Sequence, residues 1–366
     1  MPSQIEKRKA DHIQICLDEN VQARRKTTGF EDVTFVHRAL PEIERDKINL
    51  QTTLFNHKFS APLIVEAMTG GTQKSEKINA NIAKAVEKLG LGMGVGSQRA
   101  AVENPSLKKA FTVTREKAPT AFLIANIGAP QITKKQGIKD AEKAVKQINA
   151  DALAIHLNPL QEAVQPEGET NYVGVLNGIR KITRAIKVPV IVKETGAGIA
   201  AEEAKNLEAA GVSGIDVAGA GGTSWAAVEF HRAKSIGDEH RQRLGETFWD
   251  WGIPTAANVV EVAQSVQISL IASGGIRSGV DIAKALALGA DLAGTALPIL
   301  LPATKSAEEV KKTLQFMLEE LRNSMFLVGA KSIQRLKEVP VVITGRTAEW
   351  LRARGFHPET YAKRKM

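Results

Sequence analysis

The 366-residue chain is short of the features that mark several protein classes. It has one cysteine, Cys16, which excludes a disulfide framework and any cysteine-built metal site. With no histidine-rich or metal motif beside it, that thiol is expected to pack rather than react, and so cysteine-poor a chain suits a reducing cytoplasm. Aromatic residues are only 5% of the chain, a poor supply for stacking nucleic-acid bases. The most apolar window, residues 285–303, is broken by Asp291, Pro298 and Pro302, so no membrane span is expected. The opening MPSQIEKRKADHIQI lacks the apolar segment of a secretory leader.

What is present is the make-up of a globular protein with a sizeable core, 43% hydrophobic and 24% charged. The net charge of +9 comes from basic residues interleaved with acidic ones, a pattern that points to a small anionic substrate rather than to nucleic acid. Eight short apolar runs recur between stretches of helical period: residues 62–68, 91–97, 121–128, 152–158, 189–195, 214–219, 268–275 and 291–297. Regular strand–helix alternation predicts a parallel sheet, and eight units predict a (β/α)₈ TIM barrel. The expected organisation is one domain: an N-terminal arm (1–60), the barrel (about 61–329) and a C-terminal helical extension ending in a basic tail (330–366).

Barrel sites form where the strands end, and each predicted strand ends in glycines or polar groups. The ends carry Thr69 with Gly70, Ser97 with Gln98 and Arg99, Asn126, His156 with Asn158, and Lys193 with Glu194. The sixth end brings GAGGTSW with Thr223, the seventh SGGIRSG with Gly274, Gly275, Ile276 and Arg277, and the eighth Gly294, Thr295 and Ala296. SGGIRSGVD, followed by a helical pattern, reads as a phosphate grip: glycines admit close approach and the helix start offers N–H groups, although a plain strand-to-helix turn has the same outline. GAGIAA (196–201) with Asp216 formally meets the relaxed dinucleotide fingerprint, but it lies in the fifth of eight repeats.

The loop HLNPLQEAVQPEGE (156–169) gathers His156, Asn158, Gln161, Glu162, Glu167 and Glu169, oxygen donors suited to Mg²⁺ or to a solvated acidic loop. Glu229, on a helix, is either a second carboxylate or a surface charge. Lys193, inside a strand, needs an anion, with Glu194 or Glu162 the expected partner, or serves as a Schiff-base amine. Near the N-terminus, Arg8, Lys9 and His12 form a basic cluster that is either solvated or, with Arg99, able to neutralise a diphosphate.

Taken together, RKADHI, MTGGT, MGVGSQR, ANIGAPQ, HLNPLQEAVQPEGE, IVKETGAGI, AGGTSW, DWGIPTAA and SGGIRSG with GTALP resemble the type 2 isopentenyl diphosphate isomerases, in order from about residue 7 to 300. The resemblance implies interconversion of isopentenyl and dimethylallyl diphosphate with reduced FMN and Mg²⁺, NADPH reducing the flavin, in a cytoplasmic homo-oligomer, a tetramer or octamer. It implies FMN contacts at Met68, Thr69, Gly70, Ser97, Asn126, Lys193, Thr223, Gly274, Gly275, Ile276, Arg277, Thr295 and Ala296. Substrate contacts are implied at Arg8, Lys9, His12, Ser97, Gln98, Arg99, His156, Asn158 and Gln161, with Glu162 on Mg²⁺ and Gln161 and Lys193 as catalytic groups. Ala218 departs from the pattern, since many members are expected to carry a hydroxyl there. Two rivals remain: a flavin oxidase of 2-hydroxy acids, expected to pair a mouth histidine base with an arginine near the last strands, where Arg277 is available but the histidine after the sixth strand is only His231, without a clear companion, and a non-catalytic phosphate- or FMN-binding barrel.

Overall fold

The computed structural model describes residues 4–365, and side chains from residue 7 onward; residues 1–3 of the leader reading and residue 366 of the basic tail lie outside it. Eight of its strands close a parallel barrel in chain order: β4 (Leu63–Val65), β5 (Gly92–Gly94), β6 (Phe122–Gly128), β7 (Ala152–His156), β8 (Val190–Lys193), β9 (Gly214–Asp216), β10 (Ser269–Ala272) and β11 (Leu292–Thr295). Each lies within one of the eight apolar runs. Three further strands precede the barrel, β1 (Val33–Phe35), β2 (Thr52–Leu54) and β3 (His57–Phe59), and β12 (Val341–Ile343) follows it.

The barrel helices form where the sequence carries caps and a single apolar face. Helix Gln73–Leu89 starts at Thr72, whose hydroxyl accepts from the Ser75 N–H, and stops at Gly90, left-handed at φ 61°. It buries Ile78, Ile82, Ala85 and Val86 against the barrel and leaves its lysines to solvent.

Strands this short leave few layers of inward side chains. Phe122, Ala152 and Leu292 fill the lower level and Ile64, Ile124, Ala154, Ile191 and Ile271 the middle, all in one buried cluster. Two residues further along the same strands the chain turns polar: Glu66, Asn126, His156, Lys193, Asp216 and Ser273. Register fixes that upper level, with His156 paired to Lys193 and Lys193 to Asp216.

Below the apolar layers the β2–β3 hairpin closes the barrel's N-terminal end. Phe59 packs edge-on to Phe122 at 5.3 Å and Phe55 stacks on the same ring at 6.1 Å. At the other end the helix Gln4–Asp18 approaches the mouth and touches the helix Trp225–Ser235. The C-terminal extension is not purely helical: β12 pairs antiparallel with β1, Val33 opposite Ile343, so the chain's two ends brace each other.

Phe59 is fully buried beneath a barrel it does not belong to. Phe59→Ala is expected to lower unfolding stability by about 3–5 kcal/mol while ligand binding at the opposite mouth persists. Thermal unfolding with and without FMN measures both.

Candidate active site

One open-mouthed cavity occupies the C-terminal end of the barrel. Residues from all the barrel mouths and from the N-terminal helix converge on it. Arg8, Lys9, His12, Met68, Thr69, Gly70, Ser97, Arg99, Asn126, His156, Asn158, Gln161, Glu162, Lys193, Thr223, Gly274, Gly275, Ile276, Arg277 and Ala296 all line it.

Two of the expected site residues do not. Gln98 is fully buried: its amide donates to the Ala144 carbonyl at 2.9 Å and to Gln147 at 2.8 Å, and its oxygen accepts the Asn126 N–H. It braces β6 instead of meeting a ligand. Thr295 lies under the floor, its hydroxyl donating to the Ile276 carbonyl at 3.1 Å.

The seventh and eighth mouths make an anion cradle, although not as the sequence suggests. The N–H groups opening the helix Gly279–Leu288 are already taken, those of Arg277 and Ser278 by Asp281 and that of Gly279 by Glu320. The cradle is instead the glycine turn and one side chain. Gly274 and Gly275 sit at φ 93° and 74°, and a Cβ would lie 2.1 Å from the Gly219 oxygen or 2.3 Å from Thr28. Among the described residues the N–H groups of Gly275 and Ile276 find no partner, and Arg277 Nη2 is buried without one. Those donors fit a phosphate.

The dinucleotide reading of GAGIAA fails on electrostatics. Glu194 folds into that turn and accepts the N–H groups of Thr195, Gly196 and Ala197 at 2.6, 2.7 and 2.5 Å, the place a pyrophosphate would need. Asp216 lies inside the barrel, far from any ribose position. It and Glu66 are the partners of Lys193, at 3.3 and 3.6 Å, and the ammonium also donates to the Glu194 carbonyl at 2.7 Å. The expected pairings with the Glu194 or Glu162 carboxylates are therefore replaced. Burial disfavours the ammonium, but Asp216 and Glu66 outweigh it and raise the Lys193 pKa. A permanently charged lysine is a poor Schiff-base amine.

Across the cavity lies a second cationic group. Lys9 donates to the Ser97 carbonyl at 2.6 Å; burial, then Arg8 and Arg99, bring its pKa down to about 7. Arg99 is gripped by Glu103 and Glu169, and Arg8 by Glu167, carboxylates that face away from the cavity. His156 Nδ1 lies 2.7 Å from Asn126 Oδ1, and the Asn126 amide donates to the Val95 carbonyl, so the imidazole proton is on Nδ1. Burial, then Lys193 and Lys9, push the His156 pKa down to about 3. The ring is neutral, and Nε2 becomes a donor to an anion only by gaining a proton.

The loop after β7 arranges the remaining groups. Asn158 bridges Gln161 and Glu162, donating to each at 3.0 Å, and Glu162 also accepts the Glu169 N–H at 2.7 Å. Among the described residues no three His, Cys, Asp or Glu side chains form a metal cluster. Glu162 offers one hard oxygen donor to a divalent ion, a set that fits Mg²⁺ only with oxygens from a ligand's phosphates. Glu167 is committed to Arg232 at 2.5 Å and to Arg8.

Glu229, read as a surface charge or a second metal carboxylate, is neither. It is buried, 2.8 Å from His12 Nε2, 3.0 Å from Arg232 and 3.2 Å from the Gln161 amide. Cys16 lines the same region and packs, its thiol pushed up to about 12 by burial and then by Glu229. His231 packs edge-on to Phe230 and Trp249 and does not line the cavity, so the histidine after the sixth barrel strand does not reach the site. Sequence reasoning missed Glu66 and Trp225 in the lining. The period-two alternation from Ile64 would have placed Glu66 inside.

A sequence model of the FMN-dependent dehydrogenase family matches residues 2–148 and 171–342. The isopentenyl-diphosphate delta-isomerase of Methanothermobacter thermautotrophicus is 52% identical over 360 residues, covering 98% of this chain and 99% of its own. That of Pyrococcus furiosus is 50% identical over 355 residues, covering 95% and 89%. Among solved structures, a lactate oxidase from Pediococcus acidilactici superposes with a TM-score of 0.64 at 18% identity, over 94% of this chain and 96% of that one. A mandelate oxidase superposes at 0.63 with 15% identity, over 94% and 100%. Likeness at that identity shows a shared fold.

The buried Glu229 cluster makes stability pH-dependent. Burial opposes ionisation, but His12 and Arg232 outweigh it and hold the carboxyl down to about 2 from an ordinary 4.5. Its contribution is complete above pH 4.5 and is lost as pH falls towards 2. Glu229→Gln is expected to be less stable by on the order of 3 kcal/mol at neutral pH, with the gap closing between pH 4.5 and 2. Thermal unfolding across that range measures it.

Proposed function

The chain belongs to the FMN-dependent isopentenyl-diphosphate delta-isomerases, and on that premise we propose that it interconverts isopentenyl and dimethylallyl diphosphate. The observation that carries the reading is the two-ended cavity. A glycine–arginine cradle suited to one phosphate and a cluster of Arg8, Lys9 and Arg99 suited to a diphosphate face a common space. Between them stand neutral His156, Gln161 and cationic Lys193, with no pair of carboxylates poised for general acid–base work.

The alkene shift adds a proton at one carbon and removes one from another, so a placed acid and base are needed on a weakly basic substrate. Reduced FMN, held by Gly274–Arg277, Met68, Thr69, Gly70, Ser97, Asn126, Thr223 and Ala296, supplies that proton chemistry when bound. The chain's own residues position. Lys193 faces the cavity with a fixed positive charge that stabilises an anionic ring. Arg8, Lys9, His12 and Arg99 hold the diphosphate, whose remote binding orients the hydrocarbon end, and His156 and Asn158 border the same region. Gln161, held by Asn158 and Glu229, lines the cavity where the hydrocarbon end would lie, and Glu162 would complete a Mg²⁺ site with diphosphate oxygens. Since the N-terminal helix supplies Arg8, Lys9 and His12, arm, barrel and tail act as one FMN-binding unit. NADPH as the reductant, a tetrameric or octameric assembly and a cytoplasmic setting belong to the same proposal. No helix is long and apolar enough to cross a membrane.

The test is anaerobic: protein, FMN, Mg²⁺ and isopentenyl diphosphate in D₂O, followed by NMR. Deuterated dimethylallyl diphosphate formed with only catalytic NADPH is the expected result; flavin reduction without product overturns the isomerase reading. Gln161→Ala is expected to lower kcat/KM by about 100-fold or more while FMN stays bound.

A diphosphate among Arg8, Lys9 and Arg99 raises the pKa of Lys9 again from about 7, so binding takes up a proton above that pH. Calorimetry of inorganic diphosphate at pH 8, in buffers of different ionisation enthalpy, is expected to show more uptake by the wild type than by Lys9→Met.

A further inference from the structure

The floor of the cavity holds a carboxyl group that the reaction above does not use. Glu66 is 8% exposed and projects from the end of β4 into the barrel's upper level, opposite Lys193 and Asp216. One of its oxygens faces the Lys193 ammonium at 3.6 Å; the other, Oε1, is buried and has no hydrogen-bond partner. The space it fills is kept open from the neighbouring strand, because a Cβ on Gly294 would lie 2.2 Å from that same oxygen. Beneath it a further pocket inside the barrel, lined by Glu66, Asn126, Lys193, Asp216 and apolar side chains, offers polar contacts to water.

The three ionisable groups of the floor do not share one state. Asp216 is satisfied as a carboxylate: it accepts the Ser273 hydroxyl at 2.5 Å and the Ala218 N–H at 3.3 Å, and pairs with Lys193 at 3.3 Å. Glu66 has the longer contact to Lys193, and no donor reaches its Oε1. Two carboxylates this close to one buried ammonium repel each other, and the one without hydrogen-bond donors is the harder to ionise. Burial, then the charge of Asp216, push Glu66 up to about 8, with Lys193 pulling the other way. The flanking strands β5 and β11 bring only Gly94, Val95, Gly294 and Thr295 to this level, so Lys193 and Asp216 are the charges that face it.

We propose that Glu66 is a further positioning residue for the cofactor: by holding a proton at neutral pH it leaves the Lys193–Asp216 pair electrically balanced, so that the floor accepts an anionic reduced ring. The role rests on the reading that FMN occupies this cavity and adds to it a residue that acts through Lys193. Ionised Glu66 places a second negative charge beside Lys193 and opposes the reduced anion. Reduction of the holoprotein above pH 8 then draws a proton onto Glu66 along with the two electrons delivered to the flavin. Glu66→Gln keeps the neutral form at every pH.

The experiment measures the two-electron midpoint potential of bound FMN against pH in full-length wild type and Glu66→Gln, with FMN binding followed first by quenching of its fluorescence. The expected result is equal potentials below about pH 7, and above pH 8 one additional proton taken up per two electrons in the wild type alone, with the variant's potential the higher. Superimposable curves overturn the proposal while leaving the FMN reading intact; failure of the wild type to bind FMN overturns both. A carboxyl with only a packing role gives a variant of altered stability with an unchanged pH profile, which also overturns it. Should Glu66→Gln not fold, the wild type alone decides: additional proton uptake setting in near pH 8 supports the role, and a constant slope from pH 7 to 10 overturns it.

Discussion

Closure of the barrel by strands mostly three to five residues long is the constraint from which the rest follows. A strand of that length contributes only two or three inward side chains, so the interior has room for few layers. Apolar residues take the lower levels and hold the sheet together, leaving the last to chemistry. That is why Lys193, Asp216, Glu66, Asn126 and His156 meet: each is the next inward residue above Ile191, Gly214, Ile64, Ile124 and Ala154. An ammonium at that depth would be costly alone. Its retention depends on Asp216, directly opposite in register, and on Glu66 beside it.

The excess of positive charge is managed by carboxylates placed behind the cations. Glu167 and Glu169 hold Arg8 and Arg99 from outside the cavity, and Glu229 fixes His12. Such pairs restrict the long side chains and leave their remaining donors toward the open space. Elsewhere the same chemistry closes sites rather than building them: Glu194 fills the turn that resembles a pyrophosphate grip, and Asp281 with Glu320 occupies the helix start after Arg277. What the turn after β10 offers an anion is consequently a pair of glycines and one unpartnered guanidinium nitrogen.

The oxidase barrels that superpose on this chain share its architecture at 15–18% identity. His231 turns into a cluster with Trp249 and does not line the cavity, whose imidazoles are His12 and His156, while the N-terminal helix brings Arg8, Lys9 and His12 to it. The cavity lining therefore depends on the arm as well as on the eight repeats.

The amino-acid sequence by itself determined the eight strands, their order and the polar character of every strand end, because period-two alternation and short apolar runs are local properties. It also carried the family's motifs, and with them most of the cavity lining. It did not reveal that Gln98 points backward into Ala144 and Gln147, or that the helix start at Ser278 is already capped. Nor did it pair Lys193 with Asp216 and Glu66, or sink Glu229 against His12 at a separation of 217 residues. Those outcomes belong to tertiary structure alone: a charge or an N–H group takes whichever partner the closed barrel brings within about 3 Å, and closure sets that distance between residues the sequence keeps far apart.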